Sequence, residues 1–273
     1  SHAADANGTW DVYAQRYDLN GQKVGGEFRV NNTTYNQQGY HGISTGVPNL
    51  DVTGLSGGGF VVTFAGNTGT SASWEIYARG YNAAGDPLTT TDALVNTYTG
   101  STQMVPQVAN LTDGGYVIAW ASEGQDGDGN GVYAQRYNSE GAKVGAEFRV
   151  NVTASGNQGS RAGTNSHEES LSVTGLKDGG FAFTWQTGAA EVITRIYKAD
   201  GTALTGEIQV NTATADWQWL PQVAALASGG LVVTWASYAQ DGSGYGVYGQ
   251  RLRPDGTPIG GEFRINTTIS GNQ

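Results

Sequence analysis

The chain has 273 residues, 43 of them glycine and 6 proline, with 24 acidic against 14 basic side chains and a net charge of −10. Such a length buries a sizeable core, as one all-β domain or two smaller ones, and the aromatic and β-branched content excludes a disordered polymer. The absence of cysteine excludes disulfides and thiolate metal sites, and the acidic balance excludes a nucleic-acid partner, whose phosphates need a basic patch.

No stretch approaches the roughly 18 apolar residues of a membrane span, so no membrane insertion is expected. The opening SHAADANGTW has neither the apolar core of a signal peptide nor a strand pattern. The first predicted element is the hairpin VYAQRYDLNGQKVGGEFRVN from Val12: VYAQRY alternates, a polar turn follows, and EFRVN closes it. After a long linker comes a second kind of hairpin, PNLDVTGLSGGGFVVTF from Pro48. There apolar alternation meets glycines and then a β-rich run ending in an aromatic. The two kinds then take turns. IYARGYNAAGDPLTTTDALVN starts at Ile76, PQVANLTDGGYVIAW at Pro106 and VYAQRYNSEGAKVGAEFRVN at Val132. SLSVTGLKDGGFAFTW starts at Ser170, ITRIYKADGTALTGEIQVN at Ile193, PQVAALASGGLVVTW at Pro221 and VYGQRLRPDGTPIGGEFRIN at Val247. No window carries a 3.6-residue apolar period with caps, so helices should be few.

Two hairpins make four strands, and a repeat of about 50–65 residues is near the size of one propeller blade. The expectation is an all-β, β-propeller-like array of four-stranded antiparallel blades, four complete and one half; the alternative is a β-sandwich of the same strands. The whole of 1–273 reads as one repeat-built domain. Its half blade spans 10–31 and its blades about 43–96, 105–151, 169–211 and 220–266. Both ends read as cut from a longer array, and the incomplete first blade makes self-association a candidate. A second period overlies the first. Repeats one, three and five share QRY or QRL and EFR, whereas repeats two and four depart from both, so the repeating entity is a pair of unlike blades.

The pattern PQVAxLxxGGxVxxWxSxxQDGxGxGVYxQRxxxxGxxxGxEFRxN, tightest over Pro106–Asn151 and Pro221–Asn266, resembles repeats in very large secreted bacterial proteins. These are of the RTX, or hemolysin-type calcium-binding, adhesin class. The resemblance implies export by type I secretion and an extracellular or bacterial cell-surface location, which the acidic, cysteine-free composition suits. The calcium-binding nonapeptide of that class is absent, so no binding residue is carried over from it.

Asp126, Asp128 and Asn130 stand two apart among glycines, the spacing of a curled loop that offers oxygens to a hard cation, which makes calcium a candidate cofactor. The twelfth position of an EF-hand-like loop is Tyr137 rather than Glu, and the copy at Gln240 keeps only Asp241, which is equally the chemistry of tight turns. Asn31, Asn96, Asn151, Asn211 and Asn266 recur once per repeat and read as turn caps. Arg16, Arg136 and Arg251 read as structural, and Phe64, Trp120, Trp185 and Trp235 as blade-to-blade packing.

A ligand meets only some loops, so residues that break the repeat are the better candidates for binding. These are Trp217 and Trp219, Trp10 and Trp74 before their strands, Tyr238 and Tyr245 in the matching loop of the last repeat, and Tyr40, His41 and His167 in the long linkers. Catalytic signatures are sparse. The carboxylates Asp51, Glu168, Glu169 and Asp216 could serve glycoside hydrolysis, but nothing in the sequence pairs them. The expectation is an extracellular, non-catalytic module, not an enzyme, that binds a glycan or other cell-surface ligand. The alternatives are a structural spacer or protein-interaction array, and a propeller enzyme acting on polysaccharide.

Overall fold

The computed structural model describes residues 2–4, 9–33, 37–39, 49–67, 73–159 and 170–273. Every regular element among them is a β-strand. A three-stranded sheet comes first, in the order β1 (His2–Ala4), β2 (Trp10–Tyr17), β3 (Lys23–Arg29). Four antiparallel sheets of four strands follow. The second blade holds β4 (Leu50–Gly54), β5 (Phe60–Gly66), β6 (Glu75–Tyr81) and β7 (Ala93–Leu94). The third holds β8 (Gln103–Asn110), β9 (Tyr116–Glu123), β10 (Asn130–Tyr137) and β11 (Lys143–Arg149). The fourth holds β12 (Leu171–Gly175), β13 (Phe181–Gln186), β14 (Val192–Tyr197) and β15 (Ile208–Gln209). The fifth holds β16 (Gln218–Ala225), β17 (Leu231–Tyr238), β18 (Tyr245–Leu252) and β19 (Pro258–Arg264). The reading that the opening residues supply no strand is corrected: β1 pairs with β2 from His2↔Val12 to Ala4↔Trp10. Three residues are too few to show an alternation, and the open edge of β2 imposes the pairing.

The Gly-Gly turns explain why each second-type hairpin closes where it does. Gly114, Gly179 and Gly229 hold φ of 87°, 89° and 95°, a region costly for side chains bearing Cβ. The following glycine is required for a different reason: a Cβ on Gly115 or Gly180 would sit 2.3 Å from the carbonyl oxygen of Tyr137 or Tyr197 on the neighbouring strand.

The sheets stack in chain order, with β4 against β8, β8 against β12 and β12 against β16, which is propeller-like packing rather than two facing layers. The core is therefore divided among blade interfaces. Val12 meets Val62 and Phe64, Val61 and Ile76 meet Ile118 and Trp120, Val117 and Ala119 meet Phe181 and Phe183, and Val192 and Ile196 meet Val223 and Val233. The aromatics that end the second strand of each second-type hairpin, Phe64, Trp120, Trp185 and Trp235, are wholly buried, as their recurrence implied. Each such side chain contributes about 1.5–3 kcal/mol over its exposed state.

The two-blade period is physical. Blades one, three and five end in seven-residue outer strands, whereas β7 and β15 have two residues each. A bulge falls at the same place in each long pair, between Ala14 and Arg16, Ala134 and Arg136, and Gly249 and Arg251. The Gln between them turns its amide onto freed carbonyls, as Gln135 does to those of Arg136 and Gly145. Blades two and four put arginine at that position: Arg79 donates back to the Val30 carbonyl (2.7 Å) and Arg195 to that of Val150 (2.6 Å). Arg16 and Arg136 reach forward to the Ala83 and Ala199 carbonyls of the next blade. The QRY and RGY or RIY variants thus face each other across the interface between blades one and two and between three and four.

Candidate functional site

The recurring asparagines do more than cap a turn. Each Oδ1 accepts an N–H near the start of β2, β6, β10, β14 or β18, that of Val12, Ile76, Val132, Val192 or Val247, at 2.7–2.8 Å. In four blades the Nδ2 donates to a carboxylate, that of Asp11, Glu75, Asp126 or Glu191. It also donates to the carbonyl two residues on, as Asn151 does to Thr153. In blades one, two and four the carboxylate comes from the residue immediately before the one whose N–H the asparagine accepts, and in the third from the loop. Sequence alignment misses it because its position shifts while its partner stays fixed.

This arrangement explains the Asp-rich loop at 124–130. Asp126 Oδ2 accepts the Asn151 amide at 2.8 Å, and Asp128 Oδ2 accepts the Gly156 N–H at 3.0 Å. Asn157 Oδ1 accepts the Asn130 N–H at 3.1 Å. Both carboxylates strap the following linker onto the loop. Among the described residues no three His, Cys, Asp or Glu side chains converge as a metal-binding group.

A second set of carboxylates joins blades. Glu207, Glu147, Glu262 and Asp92 each accept backbone N–H groups that follow the asparagine of the preceding blade; Glu207 takes those of Val152 (2.7 Å) and Thr153 (3.2 Å). Asp51 works on the inner strands, accepting the Val108 N–H at 2.8 Å. Burial, more than anything else, pushes its carboxyl above the usual value, against the lowering effect of the Val108 and Val52 N–H groups.

With these acids absorbed by the scaffold, the residues that break the repeat converge on one face of the fifth blade. Trp217 and Trp219 meet edge to face at 5.8 Å, Trp219 lies 4.9 Å from Tyr245, and Tyr245 lies 5.0 Å from Tyr238. Trp217 is 43% exposed and Tyr238 42%. Strand register makes the cluster: Tyr238 is directly opposite Tyr245, and Gln218, between the tryptophans, is opposite Ser237. The inner strand then breaks step between Trp219 and Gln222, where Leu220 holds φ 51° before Pro221. A non-glycine residue at positive φ stores strain, and the bulge re-aims the side chains ahead of it. The third blade has the same kink, at Val105 with φ 54°, but its Met104 is buried. The two tryptophans are therefore a local change on a shared backbone device.

Beside this cluster is a cleft of about 210 Å³ lined by Gly188, Ala189, Ala190, Thr214, Ala215, Asp216 and Trp217. Asp216 is exposed there, next to the first ring. The structure thus brings together four residues that the sequence singles out separately, Trp217, Trp219, Tyr238 and Tyr245; what joins them is the hairpin pairing. Trp74 does not join them: it is 7% exposed and belongs to the core between the second and third blades. Its position ahead of β6 hid this: the Trp74 carbonyl accepts the Gln103 N–H of the third blade at 2.7 Å, which holds the residue at that interface. Trp10 opens β2 and is half-buried, with its carbonyl accepting from Gln38. Tyr40, His41, His167, Glu168 and Glu169 lie outside the described residues.

No protein-family model matches the sequence, and no curated protein matches it. Solved structures do. The chain is similar to an α-L-arabinofuranosidase from Fusarium graminearum, solved with an iminosugar inhibitor, at 13% identity over 89% of this chain and 67% of that one, with a TM-score of 0.53. It is also similar to an endo-arabinase from Bacteroides thetaiotaomicron, at 13% identity over 81% and 76% of the two chains, with a TM-score of 0.45. At such identities the likeness to the arabinofuranosidase shows a shared fold. The expectation of a non-catalytic module that is no enzyme is corrected on this finding, since the protein this chain superposes on is a sugar-cleaving enzyme.

Proposed function

We propose that this protein acts on polysaccharide, with the glycan laid across the aromatic cluster of the fifth blade and its scissile region in the adjoining cleft. The observation that carries the reading is the continuous surface from Asp216 through Trp217, Trp219, Tyr245 and Tyr238, on a scaffold similar to that of a sugar-cleaving enzyme. Indole and phenol rings offer flat apolar faces to the C–H faces of sugar rings, with a polar edge left for hydroxyls. Glycoside hydrolysis uses two carboxyl groups, one to protonate the leaving oxygen and one to attack or activate water. Asp216 is the carboxylate that the described cleft supplies, and Glu168 and Glu169 are the sequence candidates for its partner.

The test is release of reducing sugar from a panel of plant and microbial polysaccharides, together with a chromogenic α-L-arabinofuranoside. Turnover of at least one substrate is expected, cut by a factor of 100 or more in Asp216→Asn. Trp217→Ala should raise KM about five- to tenfold, as expected for loss of one stacking contact of about 1 kcal/mol. No turnover across the panel, or full activity in Asp216→Asn, overturns the reading.

A further inference from the structure

Four glutamines lead into the second to fifth blades in the same way, and one of them leaves its junction open. Gln38, Gln103 and Gln158 each donate their backbone N–H to a carbonyl of the blade before, that of Trp10 (2.8 Å), Trp74 (2.7 Å) and Asn130 (2.6 Å). Each acceptor stands two residues ahead of the N–H that the blade's asparagine takes. The counterpart for Gln218 is Ala190, and no such bond joins the two. The cleft of about 210 Å³ lies at this point, between the turn at 188–190 and the linker at 214–217. Ala190 holds φ 62° in a turn closed by the Thr187 N–H on the Glu191 carbonyl at 2.9 Å, so the open junction carries backbone strain.

The side chains repeat the contrast. Gln103 Oε1 accepts the Trp120 indole N–H at 3.1 Å and Gln158 Oε1 that of Trp185 at 2.9 Å, while their Nε2 atoms hold the linker carbonyls of Ser101 and Ser155. Gln218 Nε2 likewise holds the Asp216 carbonyl, at 3.1 Å. Yet Gln218 Oε1 and Trp235 Nε1 have no hydrogen-bond partner, although each residue is 1% exposed. The Ser237 hydroxyl is buried and unpartnered too, whereas Ser122 in the third blade donates to Gln125 at 2.6 Å. A buried acceptor and a buried donor that suit each other, both unsatisfied, favour a rearrangement that joins them. The rings oppose it: the edge-to-face contact of Trp217 with Trp219 ties the linker to the fifth blade.

We propose that Gln218 is a positioning residue that moves Asp216 and Trp217 between two states of this junction. The open state is the one described. In the closed state Gln218 makes the contacts its counterparts hold permanently, its N–H on the Ala190 carbonyl and its Oε1 on Trp235 Nε1. The linker then lies on the 188–190 turn and the cleft is gone. A sugar unit enters only the open state, so glycan binding draws the junction open and the closed fraction lowers the apparent affinity. That consequence rests on the proposed action on polysaccharide; the two states do not.

The chain has no cysteine, so an introduced pair reports closure without background. Ala189→Cys and Ala215→Cys stand on the two walls of the cleft, and a disulfide forms only when their Cα atoms come within about 7 Å. In a glutathione buffer the pair should cross-link, at a rate proportional to the minor closed population. Trp235→Phe in the same protein removes one closed-state bond and should slow cross-linking about tenfold, the weight of one buried hydrogen bond. Phenylalanine is the residue the second blade buries at this position, as Phe64. Gln218→Met, which removes the acceptor instead, should slow it equally, and Trp120→Phe, the matched change in the third blade, should leave it within about twofold. Mass spectrometry reads the disulfide whether or not any polysaccharide is cleaved. Cross-linking with these dependences but no turnover on the polysaccharide panel sinks the catalytic reading alone. No cross-linking, or the same rate in Trp235→Phe and Gln218→Met as in their parent, overturns the two-state junction alone. Where turnover is found, the disulfide should cut it at least tenfold and dithiothreitol restore it; full activity of the cross-linked protein also overturns the proposal.

Discussion

A single asparagine in each blade ties the start of one strand to the end of another, and its energetics are set by burial. Asn151 is 1% exposed and makes hydrogen bonds to the Val132 N–H, the Asp126 carboxylate and the Thr153 carbonyl. Asn151→Ala leaves a buried N–H and a carboxylate without their partner, a cost of about 1–3 kcal/mol for the unsatisfied group. The melting temperature should fall by about 2–4 °C per kcal/mol in a domain of this size, and a drop below 2 °C in calorimetry would remove the asparagine from this role. Asp51 offers a pH test. Its carboxyl is raised by burial, so its contribution to stability is complete below the ordinary value of 3.8 and is lost as pH rises through the folded value. Asp51→Asn does not titrate. The difference in melting temperature between variant and parent should therefore shift in favour of the variant as pH is taken from 3.5 to 7, and a flat or opposite trend would contradict the assignment.

At the scale of the element, the Gly-Gly turn is the tightest constraint. Gly115→Ala forces a Cβ to within 2.3 Å of the Tyr137 carbonyl, so β9 and β10 must separate locally. The expected cost is about 2–4 kcal/mol, at the upper end of single substitutions. Gly26→Ala, where the added Cβ meets nothing within 4 Å, is the matched control and should stay within about 0.5 kcal/mol by urea denaturation. Hairpins, turns and the unlike-blade rhythm were all legible in the repeats because each is a local device. The bulges were not, since the kinks at Val105 and Leu220 follow from proline and from packing on the neighbouring blade. Val105 N–H, for instance, is held by Asn49 Oδ1 at 2.6 Å. For the same reason the site was half legible: Trp217 and Trp219 stood out as departures from the repeat, while Trp74 stood out equally and is core.

Across the whole molecule, each blade contacts its neighbours in chain order, so stability is close to a sum of blade and interface terms. Among the described residues the first blade has three strands, one of them three residues long, and its interface with the second carries an open groove. Native-state hydrogen exchange should therefore show Trp10–Arg29 exchanging at least tenfold faster than Tyr116–Tyr137, which is paired on both sides and packed on both faces. Uniform protection of the two segments would mean that the ends are tied together in solution.

The sequence by itself determined the strand character, the hairpin pairs, the two-blade alternation and the buried aromatics, because alternation and turn chemistry act over a few residues and recur. Only the tertiary structure decided which acids strap loops, which join blades and which remains free in a cleft. Asp126, Glu207 and Asp216 are all acids in connecting segments, and their roles differ by which donors the fold brings within 3 Å of their oxygens: Asn151 of its own blade for Asp126 and the Val152 N–H of the preceding blade for Glu207.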